Sequence, residues 1–498
     1  MTSPRRRHAL LVLVATAMLC IALVLAAPAL AGKPGPTPPP TPTGQWVWGD
    51  THNHSTLSDG DIPLETMLLT GVNTWGCTWV TTTDHGGKSI YDQWGNSINP
   101  TPRWITLMAN SWPVVSDLRQ RYPNKVFMLG FEWGIPGIDE AKVAINSGDP
   151  TAISNFEYMF DFQDNDNSRA DLPKVSKTYD DGVTGISWLA SNYPTTSYAI
   201  PSHPSRDLLW HAVDFRRYND AAPTVFFGMA GIPGSQKELP ARGGYDTKWN
   251  TAGETILGRT YGGADYNIAK LGGVWDSLLG EGRKFWTYSD SDFHNPEEEF
   301  YPGEYSRDLM WVTEKSTQGI VNGLRSGNSV SVEGQLIDAL DYKAAAGTKS
   351  ATMGGTLNVA KGATVTVTVK WHSPALNNHG DVPKVNHVDL ISGNVTSKLT
   401  PSDIGYITQT TNPSTKVAAR FTTAKMSASG GWYSATYSIK ATVDGYYRLR
   451  GTNQGLSVQN QTDANGNPLT DDLEGENDSV KCWNDIWFYS NPIFIDVQ

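Results

Sequence analysis

The sequence predicts an α/β fold: a mainly parallel sheet or barrel over residues 46–335, followed by an all-β sandwich over residues 336–498. Two observations carry this reading. From residue 46 to about 335, short apolar runs that end in an acidic residue or a histidine alternate with Gly- or Pro-containing loops and helix-like stretches, the pattern of βα units. Beyond about residue 336 the period changes. Val365, Val367, Val369 and Trp371 alternate with Thr364, Thr366, Thr368 and Lys370, as in a strand with one buried face.

The elements follow in order. Arg5, Arg6 and Arg7, the apolar stretch 9–27 and the small-x-small site Ala29-Leu30-Ala31 read as a signal peptide over residues 1–31, cleaved after Ala31. The alternative is an uncleaved anchor, which would be the protein's one membrane attachment. Residues 32–45, with KPGPTPPPTPT at 33–43, form an extended proline-rich linker. This arrangement predicts a secreted or extracytoplasmic protein. Strand-like runs then occupy residues 46–50, 78–83, 125–131, 197–200, 224–229, 284–288 and 308–313. Helical patterns lie at 63–69, 186–190, 266–279 and 317–324. In the second part, strands are expected at 364–371, 434–439, 446–450 and 492–497.

With 498 residues, 39% of them hydrophobic, and 18 tryptophans, the chain can bury a large core, so global disorder is excluded. The formal charge is −11, and loss of residues 1–31 removes three arginines and no acid, taking it to −14. Such a balance argues against nucleic-acid binding, which needs a basic footprint. It would also repel anionic polymers unless a local cation offsets it. Of three cysteines, Cys20 belongs to the signal segment. Cys77 and Cys482 are two buried thiols or one long-range bridge.

The chemistry gathers at the ends of the predicted strands. GDTHNHSTLSDG at residues 49–60 places His52 and His54 two apart, so on an extended backbone both rings face one side; Asp59 follows. His85 closes the second run, Glu132 the third and His203 the fourth, while Asp292 and His294 follow the sixth. A lone histidine at a strand end is most often a hydrogen-bonded surface residue. Here five of the six histidines within residues 46–335 stand at strand C-termini beside carboxylates, where chemistry sits in α/β folds. Such a cluster is hard to hold together without cations. His, Asp and Glu without Cys suit Zn, Mn or Fe. Two or three such ions would act as a Lewis acid, generate hydroxide at neutral pH and clamp attacking and leaving oxygens. That chemistry is phosphoester, carboxyester or amide hydrolysis, and the site does not choose among them.

His-x-His-Ser-x-x-Ser-Asp-Gly, Thr-Asp-His, Gly-x-Glu, His-Pro-x-Arg and Ser-Asp-x-His, in that order over residues 46–335, resemble the PHP (polymerase and histidinol phosphatase) domain of metal-dependent phosphoesterases. The resemblance implies a distorted (β/α)7 barrel with up to three metals. His52, His54, Glu132 and Asp292 would hold one ion, and Asp59, His85 and His294 another, with Glu132 bridging to a third site at His203. Glu132 and Arg206 would be the catalytic pair, Arg206 contacting a substrate phosphate. Asp84 would be an outer partner of the ligands. The family's further histidine between the glutamate and the His-Pro motif is missing here; Glu140 would replace it, or that site would be weak or empty. The implied substrate is a small-molecule or polymer-linked ester. Amidohydrolases share His-x-His but usually bridge their metals with a carboxylated lysine, which makes an ester or carbamate hydrolase the second reading. A catalytically weak, metal-stabilised binding protein is the third. Residues 463–467 with Glu474 are only faintly like a calcium loop, because Pro468 stands where the turn glycine belongs.

Overall fold

The computed structural model describes residues 44–234, 258–297, 299–471 and 482–498. The expected signal peptide and almost all of the linker lie outside the described residues, as does Glu474. In chain order the first strands are β1 (Gln45–Asp50), β2 (Trp79–Thr82), β3 (Lys88–Tyr91), β4 (Ser97–Pro102), β5 (Val126–Gly134), β6 (Glu140–Ile145), β7 (Ser197–Pro201) and β8 (Gly228–Ile232). There follow a short hairpin of β9 (Thr260–Tyr261) and β10 (Ala264–Asp265), then β11 (Trp286–Ser289), β12 (Ser306–Val312) and β13 (Ser329–Glu333). β5 reads VFMLGFEWG and is buried throughout, as a strand covered on both faces should be.

Of these, β1, β2, β5, β6, β7, β12 and β13 belong to one mixed sheet, where the sequence reading expects a mainly parallel one, and β3–β4, β9–β10 and β8–β11 are separate pairs. β1–β2, β2–β5 and β8–β11 are parallel. β6 runs antiparallel to both β5 and β7, and β12 runs antiparallel to β1 and β13. For β5 and β6 the reason is loop length. Only residues 135–139 separate β5 from β6, and a parallel return needs a crossover of a dozen residues or more. No backbone ladder among the described residues joins β7 to β8 or β11 to β12, so backbone pairing does not close a (β/α)7 ring. The helical pattern expected over 266–279 divides into Tyr266–Ala269 and Val274–Gly280, because Gly272 between them sits at φ +75°, a conformation glycine adopts at no steric cost.

The remaining strands are β14 (Ala339–Ala346), β15 (Lys349–Thr352), β16 (Thr356–Val359), β17 (Thr364–His372), β18 (His387–Asn394), β19 (Lys416–Thr422), β20 (Trp432–Lys440), β21 (Gly445–Thr452), β22 (Trp487–Ser490) and β23 (Ile493–Val497). β15, β14, β17 and β20 make a four-stranded antiparallel sheet. Val365, Val367, Val369 and Trp371 of β17 enter one buried cluster with Val388, Leu390, Leu449, Phe488 and Ile495 of the other layer. That layer is not separate from the first part of the chain. β13 pairs with β22, Val330 opposite Ser490, which makes one 13-stranded sheet across residue 336. Thr43–Gln498 accordingly forms one compact unit. No helix among the described residues is long and apolar enough to cross a membrane. Cys77 is a free, buried thiol, Cys482 is buried as well, and burial pushes the Cys77 thiol up to about 12.

Candidate metal centre

The segment after β1 stays extended and pairs with the segment after β11. His54 N donates to Phe293 O (2.8 Å), Asp292 N to His52 O (3.1 Å), and Asn53 bridges Phe293. Two pairs of site residues therefore come from opposite ends of the α/β part and lie side by side. His85 bridges Glu132 in the same way at the ends of β2 and β5. Alternation then sets the side chains. His52 and His54 point the same way, with their Nε2 atoms 3.1 Å apart.

Around them the carboxylates converge. Glu132 Oε1 lies 3.0 Å from His52 Nε2, and Asp292 Oδ1 lies 3.1 Å from His52 Nε2 and 3.2 Å from His54 Nε2. Glu132 Oε2 is 3.3 Å from both His54 Nε2 and His85 Nδ1. On the outer side, Asp59 approaches His54 Nδ1 at 3.3 Å, His85 Nε2 at 3.3 Å and His294 Nε2 at 3.7 Å. Glu140 Oε1 is 3.3 Å from His85 Nδ1, and Glu140 Oε2 is 3.6 Å from His203 Nε2. Four overlapping groups have ligand atoms within 4.8 Å of one another: His54-Asp59-His85-His294, His52-His54-Glu132-Asp292, His85-Glu132-Glu140 and Asp139-Glu140-His203. Every ligand expected from sequence belongs to at least one of them. Asp139 is the addition. Its signal was position: it stands beside Glu140 in the loop where a replacement ligand was sought.

The donor set fits hard or borderline divalent cations. Glu132 Oε1, Asp139 Oδ2, His85 Nδ1 and His203 Nδ1 are buried without a hydrogen bond, and such groups are costly to bury unless a cation or proton neutralises them. Burial pushes the Glu132 carboxyl up, but His52, His203 and His54 together hold it well below the usual range. Burial also raises Asp292, which His52 and His54 overcome, and Asp59, which His85 and His294 overcome; both sit low. For the imidazoles burial acts downward, yet contacts to Asp292, Asp59 and Glu132 carry His54 well above its ordinary value. His85 is raised the same way by Glu140 and Asp59. Short acid–imidazole contacts thus share protons that a metal would displace.

An outer layer fixes these side chains. Asp84 accepts hydrogen bonds from Ser55 N (2.7 Å), Ser55 Oγ (2.8 Å), Ser58 Oγ (3.0 Å) and Thr82 Oγ1 (3.1 Å), and pairs with Arg103 at 3.0 Å. It braces the loop between His54 and Asp59 and joins none of the four ligand groups. The His294 Nδ1 proton is aimed at Asp292 O, 2.8 Å away, which leaves Nε2 for a ligand role. Lys142 is buried on β6 and pairs with Asp290 and Thr51 Oγ1. No pattern in the sequence marks it. His203 and Asp292 both adopt positive φ, 22° and 45°, a backbone cost of about 1–3 kcal/mol each that functional sites commonly carry.

Arg206 is the departure. Its Nη2 donates to Asp139 Oδ1 (2.9 Å) and Glu140 Oε2 (2.8 Å), so the guanidinium turns onto the centre's own carboxylates. The mouth beside it is an open cavity of about 530 Å³ lined by Asp59, His85, Lys88, Ile90, Glu140 and Gln163 among others. Comparison of the chain with protein-family models, with curated proteins and with solved structures finds no match.

Proposed function

We propose that this protein is an exported, divalent-metal-dependent hydrolase of the PHP type that cleaves phosphoesters. The observation that carries the reading is the convergence of His52, His54, His85, His203 and His294 with Asp59, Glu132, Glu140 and Asp292 in one mouth. Divalent ions held there would supply Lewis acidity and activated water. Glu132, through its two oxygens, faces His52 on one side and His54 and His85 on the other, and would be a ligand on either side. Lys88 is exposed on the rim and forms no side-chain ion pair among the described residues; it would draw an anionic ester into the mouth. Ile90, Tyr91 and Trp94, also exposed on the β3–β4 hairpin, would receive the organic part of a small-molecule or polymer-linked ester. In this reading the α/β part is a distorted (β/α)7 barrel opened by its antiparallel strands, and the β-rich part is a sandwich.

An amidohydrolase-like ester or carbamate hydrolase is less well supported. Glu132 takes the bridging place, and Lys142, the buried lysine nearby, is paired with Asp290. The test is a panel of aryl phosphomonoesters, phosphodiesters and carboxyesters, assayed on purified protein loaded with Mn or Zn, beside His54→Ala. Turnover of phosphoesters that needs metal and His54 is expected. Turnover of carboxyesters alone would move the protein to the second reading, and metal-loaded protein inert on all three would make it a binding protein.

A further inference from the structure

Four groups of potential ligands surround the centre, and one of them already holds a cation. Asp139, Glu140 and His203 form that group, and Arg206 reaches into it. The Arg206 Nη2 contacts at 2.9 and 2.8 Å fall on Asp139 Oδ1 and Glu140 Oε2, and the latter oxygen also faces His203 Nε2. A metal bound there through those two oxygens would compete with Nη2, and through any other it would sit close to the guanidinium's like charge. The guanidinium is held, not loosely draped: its side chain is 26% exposed. The loop that carries it is pinned on both sides, by Arg206 N donating to His203 O (3.0 Å) and by Ser205 N and Oγ donating to Asp265 at 2.9 and 2.8 Å.

We propose that Arg206 stands in for a third cation, so that this centre takes two divalent ions and excludes a third. The inference rests on reading the cluster as a metal centre. Arg206 sets one permanent positive charge on Asp139 and Glu140, so a divalent ion added to the same group would meet like charge within a few ångströms. A guanidinium also keeps its proton at any working pH, so the substitution is permanent where a bound metal would exchange. The two N–H groups of its Nη2 satisfy two carboxylates at once. Arg206 is then a positioning residue: it fixes Glu140 Oε2 and thereby turns Glu140 Oε1 toward His85, 3.3 Å away. This also accounts for the missing family histidine. A site occupied by a side chain needs no further imidazole.

The experiment counts metal. Native protein, Arg206→Gln and Arg206→Lys are stripped with chelator, saturated with Zn or with Mn, desalted and analysed by elemental mass spectrometry, with titration calorimetry for the number of binding events and circular dichroism for folding. The expected result is two ions per chain in the native protein and in Arg206→Lys, and three in Arg206→Gln. Three ions in the native protein, or two in a folded Arg206→Gln, would overturn the proposal while leaving the metal centre intact. One ion in the native protein would overturn the proposal alone, and fewer than one would overturn the metal-centre reading as well. Should Arg206→Gln fail to fold, the native count decides alone, two supporting the proposal and three defeating it.

Discussion

Two regions of this molecule bury carboxylates, and they neutralise them in opposite ways. Around the β-rich part three buried acids meet arginine, and one of these pairs, Asp276 with Arg448, spans the seam with the α/β part. Asp276 receives Arg448 Nε at 2.8 Å and Nη2 at 2.7 Å. Asp389 receives Arg420 at 2.6 and 2.9 Å and Arg450 at 2.9 Å. Glu281 lies between Arg216 at 2.7 Å and Arg283 at 2.8 Å. In the strand-end mouth, five carboxylates face five imidazoles and one arginine. Those three acids are neutralised within the protein; the acids of the mouth stand among groups that could hold metal ions. Burial of a carboxylate is therefore no mark of function by itself. What its charge is paired with is the mark.

The comparison can be broken at either end. The largest effect is expected at the seam. Arg448→Ala leaves Asp276 buried and unpaired, and should cost about 3–5 kcal/mol of stability, read by denaturant unfolding. The metal content of the protein that remains folded should not change; if it did, seam and mouth would not be independent. Next comes Glu132→Ala, which should lower kcat/KM roughly 10²–10³-fold and empty the centre, with folding little affected in the absence of metal. Metal removal follows. Chelation should lower the melting temperature of the native protein, because an ion at a hundred times its Kd stabilises the fold by about 2.7 kcal/mol. The same treatment of Glu132→Ala should move its melting point very little.

Lys88→Ala should raise KM for a phosphoester about tenfold with kcat nearly unchanged, the pattern of lost uniform binding, and leave KM for a neutral carboxyester alone. The smallest effect belongs to a third acid group behind the mouth. Glu157 and Asp161 are buried beneath the loop of His85; Glu157 accepts from Gly87 N at 2.9 Å, and Gly86 lies so near Asp161 that a Cβ would come within 2.3 Å of its Oδ2. Burial and the neighbouring Asp161 and Asp164 raise Glu157 well above its usual value, and burial raises Asp161 to about 7. A raised carboxyl is protonated in the fold and ionised in the unfolded chain, so its stabilising contribution is full below the unfolded value near 4 and fades as pH climbs through the folded value. Glu157→Gln should therefore melt close to the native protein at pH 4 and above it at pH 8. Equal melting points at both pH values would mean that Glu157 is paired after all.

Much of this was legible in the sequence. The runs at 46–50, 78–83 and 197–200 became β1, β2 and β7 within a residue or so, because period and β-branched content act locally. The two histidines of GDTHNHSTLSDG sharing one side follows from strand geometry alone, and so does Glu132 at the end of an apolar run. Strand direction was not legible. β6 is not among the strands expected from the sequence, and the shortness of residues 135–139 makes it return antiparallel to β5. The 13-stranded sheet that crosses residue 336 rests on β13 meeting β22, more than 150 residues apart in the chain, and no local pattern announces it.

By itself, then, the sequence determined which residue types gather at strand ends, that they are imidazoles and carboxylates without thiolates, and hence that a hard or borderline divalent cation suits them. Only the tertiary structure decided how their charges are shared. It brought Asp139 into the set, paired Lys142 with Asp290, and turned Arg206 from the mouth onto Asp139 and Glu140. The reason is physical. Residue chemistry and alternation are properties of short stretches, whereas electrostatic pairing falls off over a few ångströms in space and depends on which distant segments the fold brings within that range.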